Sequence, residues 1–195
     1  MESIDRTLKE SLVLIQKHKG PMSLRTLLKF LAKKGPILVI LILILPFCQP
    51  FHIPVLSTFF GLAIALVAFQ IVFGQPFWLP KFLLSKKIST SVLKKVLRKS
   101  LVVIEKLKRW IHPRWTWLCK SAVMKVLNGL VIALLALFLA LPLPIPTTNL
   151  GVAWPILLIC LGLLENDGLF VFLGYFVGIV YFVFFITLVI GLGSL

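Results

Sequence analysis

Charged and apolar positions are sorted into blocks along this chain. From Gly35 to Pro80 there is no charged side chain, and from Val126 to Leu195 the only ones are Glu165 and Asp167. These uncharged stretches break into five apolar runs: Ile37–Leu45, Val55–Leu79, Val126–Leu141, Leu150–Leu164 and Leu169–Leu195. Proline-dense stretches at 46–54 and 142–149 and the sequence Glu165-Asn166-Asp167-Gly168 separate them. Val55–Leu79 is long enough to cross a bilayer as a helix, with Gln70 inside it and Trp78 at an interfacial position. Ile37–Leu45 is too short to span alone. It either borrows length from the basic segment before it or re-enters the membrane as a half-helix, and the pattern fits both.

The charged stretches are periodic. Over residues 23–34, Leu24, Leu27, Leu28 and Leu31 share a helical face, with Arg25, Lys29 and Lys33 off it, and Gly35-Pro36 stops the helix. Over residues 92–111, eight apolar positions alternate at helical spacing with Lys94, Lys95, Arg98, Lys99, Lys106 and Lys108. Trp110, Trp115 and Trp117 follow, around His112-Pro113-Arg114. Such mixtures of aromatic and basic side chains sit at lipid headgroup level and attract anionic lipid.

Composition turns this pattern into a class. With 59% hydrophobic residues and 16 Phe in 195 residues, there is more apolar surface than one soluble core can bury, so the surplus faces lipid. The net charge of +15 raises nucleic acid as a partner, but its distribution argues against one. Eight Lys and Arg lie between Arg6 and Lys34 and thirteen between Lys81 and Lys125, which together are all 21. Basic blocks beside apolar runs stay on the cytoplasmic side, so an even number of crossings separates them. The expected fold is all-α: a polytopic membrane protein with about five apolar membrane segments, some re-entrant, plus basic amphipathic interfacial helices. It divides into a basic cytoplasmic segment (1–34), a first membrane repeat (35–80), a basic interfacial segment (81–125), and a second repeat with a C-terminal transmembrane helix (126–195). The apolar run after Lys33-Lys34 resembles a signal peptide, but no small-residue cleavage site follows it, so no removed segment is expected. Cys48, Cys119 and Cys160 suit neither a metal knuckle nor a disulfide framework and read as free thiols.

The two repeats are weak. A shift of 94 residues places Gly35 on Gly129, the run before Leu45-Pro46 on that before Leu141-Pro142, and Gly74 on Gly168. The proline turns match only after a two-residue slip. Interrupted apolar segments at corresponding places in two halves are a transporter-like pattern, and basic blocks on one side favour parallel over inverted repeats.

Candidate chemistry is sparse. Glu165, Asn166 and Asp167 read either as a solvated turn before Gly168 or as a cation or proton site. Ser57, Thr58, Thr147, Thr148 and Asn149 follow the proline breaks, either as ordinary helix caps or at helix N-termini facing a shared anion site. Gln70 suits an interhelical hydrogen bond, and His52 an exposed loop. Gly174 and Gly178 permit close helix approach, within the bundle or across a dimer. No nucleophile with a base, paired His ligands or Gly-rich phosphate loop is present, so no enzyme activity, metal or cofactor is expected.

The residues Leu45-Pro46, Pro54, Ser57-Thr58, Gly61, Gln70, Gly74 and Trp78-Leu79-Pro80-Lys81, together with Leu141-Pro142-Leu143-Pro144, Asn149, Pro155, Gly162-Leu163 and Asp167-Gly168, carry a resemblance. Over roughly residues 30–185 the chain resembles the bacterial ExoD family, named for exopolysaccharide synthesis. It departs from the family pattern in having Asn166, rather than Arg, before Asp-Gly. The resemblance implies an inner-membrane protein that assists exopolysaccharide synthesis or export, and the apolar runs and basic blocks add that it is multi-pass with its N-terminus cytoplasmic. Taken with the proline breaks and the basic interface, the resemblance leads to the expectation that the protein handles a lipid-linked or phosphorylated intermediate, with membrane lipids, anionic on the cytoplasmic side, and a second copy of itself as partners. The alternatives are a small ion or proton transporter acting through Glu165 and Asp167, and a scaffold without transport.

Overall fold

The computed structural model describes residues 35–48, 54–75, 110–141 and 148–193, with side chains over 35–48, 57–75, 110–141 and 149–187. The amphipathic stretches at 23–34 and 92–109, with Lys94, Lys95, Arg98 and Lys99, lie outside these residues, as do Gln49, His52, Trp78 and Thr147. Every element among the described residues is helical. α1 is Pro36–Ile44, continued by a 3-10 turn Leu45–Cys48; α2 is Pro54–Val72; α3 is the short Trp117–Lys120; α4 is Ala122–Ala140; α5 is Thr148–Glu165; α6 is Gly168–Gly193.

α1 is the innermost element. Leu38 through Leu45 are 0–5% exposed, and the helix packs on α2 and α5. At 1.5 Å per residue its nine residues rise only about 14 Å, so it is a buried half-length helix. α2 is 19 residues long and stops at Val72, seven residues before the end that the apolar pattern suggests. The stop is chemical. Gly74 takes φ 62, the Gln75 N–H donates to the Gln70 carbonyl at 2.9 Å, and the Gly74 N–H donates to that of Ile71 at 3.4 Å. This is the glycine-dependent closure of a helix C-terminus, and it outweighs the apolar residues beyond it.

α2 and α4 run antiparallel along a seam of small residues. Gly61 lies against Ala136 and Ala140, and Gly129 against Ala68 and Val72. Gly61, Ala65 and Ala68 on one helix, and Gly129, Ala133, Ala136 and Ala140 on the other, are spaced alternately by four and three, which keeps one stripe on one face. All are buried. Without bulky side chains the two backbones approach closely, the packing that holds helices together where no hydrophobic drive exists between them.

α5 and α6 form a tight antiparallel hairpin. Gly162 meets Val171, Gly174 meets Ile159 and the Pro155 carbonyl, Gly178 meets Pro155, and the Tyr181 ring lies against Gly151. Gly174 and Gly178 therefore serve contact inside the chain. Pro155 removes one N–H from the middle of α5, leaving the Gly151 carbonyl without its i+4 donor.

α4 and α6 are long and apolar enough to cross a membrane, with spans at Ala122–Ala140 and Gly168–Thr187. Both keep large apolar side chains outward, including Leu134 at 55% exposure, Phe176 at 57% and Ile179 at 64%. Gly74 and Gly168, superposed by the 94-residue shift, occupy unlike positions: Gly74 closes the end of α2, and Gly168 opens α6.

Candidate functional site

One set of polar groups, which includes the buried Asn128 and Asp167, gathers at the end where α4 and α6 begin and α5 ends. α5 closes on Asn166, which takes φ 56, while the Asp167 N–H donates to the Gly162 carbonyl at 2.9 Å. Asn tolerates this left-handed conformation better than most side chains. The chain then reverses at Asp167, the N-cap of α6, whose Oδ1 accepts the Leu169 N–H at 3.0 Å. Its other oxygen, Oδ2, accepts the His112 N–H at 2.8 Å.

Asp167 is fully buried, so a solvated turn does not describe it. The segment that buries it is the loop before α3. The Gly168 N–H donates to the Arg114 carbonyl at 2.6 Å. A Cβ on Gly168 would overlap the Trp115 carbonyl oxygen, so the close approach itself requires glycine. Trp115 is held at φ 47, an uncommon conformation for a bulky residue and a local strain that this docking sustains. The Arg114 guanidinium is 3.8 Å from Asp167 Oδ2 and donates to the Trp110 carbonyl at 2.7 Å.

α3 is fastened in two further places. The Cys119 thiol donates to the Gly162 carbonyl at 3.5 Å. Asn128, 1% exposed on α4, donates through Nδ2 to the Leu118 carbonyl at 2.8 Å, satisfying an orphan carbonyl at the end of a short helix. The Tyr175 hydroxyl of α6 donates to Asn128 Oδ1. The result is one junction that ties the 110–121 segment to α4, α5 and α6.

Burial pushes the Cys119 thiol up to about 11, the charge of Asp167 adds to this, and Lys120 opposes it. Since only the thiolate is alkylated, that rise leaves Cys119 labelling by iodoacetamide at pH 8 roughly 100-fold slower than labelling of an ordinary exposed thiol. Asp167→Asn removes one raising cause and speeds labelling, read as the mass shift of the Cys119 peptide. Equal rates in wild type and variant would contradict the assignment.

The residues singled out in the sequence divide between two ends. Glu165 and Asn166, both half-buried, lie with Asp167 at the junction end, as does Gln70 in the last turn of α2. Ser57, 1% exposed, Thr58, and Asn149, 8% exposed, open α2 and α5 at the opposite end, beside the C-terminus of α4. Thr148 begins α5. The structure does not bring the two sets together. Trp110, Trp115 and Trp117 are 69%, 53% and 59% exposed around the junction, and Trp115 meets Phe172 edge-on at 6.1 Å. Asn128 and Tyr175 are a pair that the sequence pattern does not single out. Their signal is modest: a single Asn inside an apolar helix, and one of only two Tyr in the chain. Among the described residues, no three His, Cys, Asp or Glu side chains gather as metal ligands.

This architecture defines an all-helical protein with apolar helices that fit a membrane protein, bolted at one end by a buried carboxylate. The family model described as "Exopolysaccharide synthesis, ExoD" matches residues 5–187, and the chain belongs to that family. It is 38% identical over 170 residues to Protein ExoD of Rhizobium meliloti (strain 1021), covering 86% of this chain and 70% of that protein. It is also 35% identical over 156 residues to an uncharacterized protein of Synechocystis sp., covering 79% of this chain and 73% of the other. No solved structure matches.

Proposed function

We propose that the protein is a non-catalytic, multi-pass component of the bacterial inner membrane that assists exopolysaccharide synthesis or export by handling a lipid-linked or phosphorylated intermediate. Membership of the ExoD family carries this reading. The junction supports its orientation. Arg114, Lys120 and Lys125 are exposed at that end, and retention of basic residues in the cytoplasm puts this end and the N-terminus inside. The exposed tryptophans and cations there suit anionic headgroups. Ion or proton transport through Glu165 and Asp167 is the weaker reading, because both Asp167 oxygens are engaged by backbone N–H groups.

Deleting the gene lowers surface polysaccharide several-fold, measured as cell-associated and secreted sugar. Wild-type protein restores the output, while Asp167→Ala does not. Unchanged polysaccharide after deletion would sink the proposal.

A further inference from the structure

α4 and α6 run parallel. Asn128 pairs with Tyr175 near their starts, Gly178 faces Leu135 farther along, and Phe138 meets Phe182 at 4.7 Å beyond that. Between them lies an open groove of about 440 Å³. Leu127, Val131 and Leu134 form one wall, and Gly178, Ile179 and Val183 form much of the other. Glycine at 178 keeps that wall shallow, and the one hydroxyl on the lining, that of Tyr175, is already committed to Asn128.

We infer that this groove is a seat for one chain of a phosphate-headed anionic lipid, with the headgroup held at the junction end by Lys120 and Arg114. Three observations identify the occupant. First, the lining offers apolar contact and no free polar group, which suits a hydrocarbon chain. Second, the α6 wall from Gly174 to Ile186 rises about 18 Å, close to the roughly 15 Å that one leaflet contributes to the hydrocarbon core. Third, α3 packs on both α4 and α6, and its Leu118 carbonyl accepts from Asn128, which neighbours Leu127 in sequence and bonds Tyr175, two residues that line the start of the groove. α3 presents Trp117 at 59% exposure and the exposed Lys120 there. Arg114 is 45% exposed nearby, while Asp167 is fully buried. Among the described residues, the exposed Lys and Arg side chains, Arg114, Lys120 and Lys125, all lie at this end, where Glu165 is half-buried and Asp167 buried. A second copy of the chain would need a complementary apolar ridge, whereas a leaflet-length groove ending in cations matches a lipid.

The seat rests on the membrane placement proposed above but not on the polysaccharide phenotype. Lipid retention by purified protein can fail while deletion still abolishes polysaccharide, and the reverse. The test is native mass spectrometry of the full chain ejected from mixed phosphatidylcholine–phosphatidylglycerol nanodiscs. Wild type keeps one phosphatidylglycerol with a preference of roughly tenfold over phosphatidylcholine. Val183→Trp, which fills an outward position 59% exposed, loses the bound lipid. Lys120→Glu keeps a lipid but loses the preference. Leu62→Trp, on α2 at 40% exposure and outside the groove, retains it and controls for added bulk. Retention by Val183→Trp, or no headgroup preference in wild type, overturns the inference. So does a Val183→Trp protein that keeps its lipid while changing from dimer to monomer, which would assign the groove to a second copy.

Discussion

Asp167→Ala lowers the unfolding free energy by about 2–4 kcal/mol and the melting temperature of the purified protein by roughly 5–15 °C, followed by tryptophan fluorescence. The estimate is built from the partners. Losing the N-cap acceptor for Leu169 costs about 1 kcal/mol. The bond from the His112 N–H to a carboxylate contributes about 1.5–3 kcal/mol. The ion pair adds little: Arg114 is 45% exposed and its nitrogen stands 3.8 Å away, so solvent screening holds its share to below about 1 kcal/mol.

Arg114→Ala is accordingly a mild change, and Asp167→Asn falls between the two, because an amide oxygen can still cap α6 while its NH₂ faces other donors. Tryptic cleavage after Arg114 gives a second readout. Asp167→Ala frees the loop and speeds that cut, whereas destabilisation elsewhere in the bundle does not favour this bond. If Arg114→Ala proved as damaging as Asp167→Ala, the ion pair, rather than the two backbone N–H contacts, would dominate the junction.

The importance of Asp167 was only half legible in the sequence. Asn166, Asp167 and Gly168 each have strong turn chemistry, and each uses it: Asn166 closes α5, Asp167 caps α6 and Gly168 admits the Trp115 carbonyl. Burial of the carboxylate depends on His112, 55 residues away, and no local pattern announces a contact at that separation. His112-Pro113-Arg114 reads as interfacial from its composition, whereas in the structure its backbone, rather than its charge, makes the decisive contacts with Asp167 and Gly168.

Helix positions were more legible, because an uncharged run bounded by proline or by turn residues leaves the backbone few alternatives. α1, α4 and α5 lie close to the bounds of their apolar runs. α2 is the exception. Gly74 lies inside an apolar run, and composition alone does not reveal that its left-handed backbone ends the helix there. Helix pairing was not legible. The spacings of Gly61, Ala65 and Ala68 and of Ala133, Ala136 and Ala140 occur within Leu- and Ala-rich stretches where many helix faces look alike. Choosing between them needs the partner helix.

That seam carries the second large effect. Gly61→Leu disrupts the α2–α4 pair and leaves little folded protein, because a Cβ at this position already stands 2.6 Å from the Ala140 nitrogen and 2.7 Å from the Ala136 carbonyl oxygen. Both are backbone atoms and cannot rotate aside, so the helices must separate along their length. Gly61→Ala decides the sign. Alanine gains up to about 1 kcal/mol in helix propensity, while overpacking typically costs about 1–3 kcal/mol and more where backbone must move. The clash wins, and Gly61→Ala is destabilising in a denaturant titration of the purified protein. Gly129→Ala is milder, because its tightest neighbour is a side-chain methyl of Val72 and the nearest backbone atom, the Ala68 carbonyl oxygen, is 3.4 Å away. Pairing Gly129→Ala with Val72→Ala restores the space. That double variant recovers most of the loss, whereas no side-chain truncation on α4 rescues Gly61→Ala, because backbone causes the obstruction. Rescue of Gly61→Ala by shortening a side chain on α4 would show that the two backbones do not meet there.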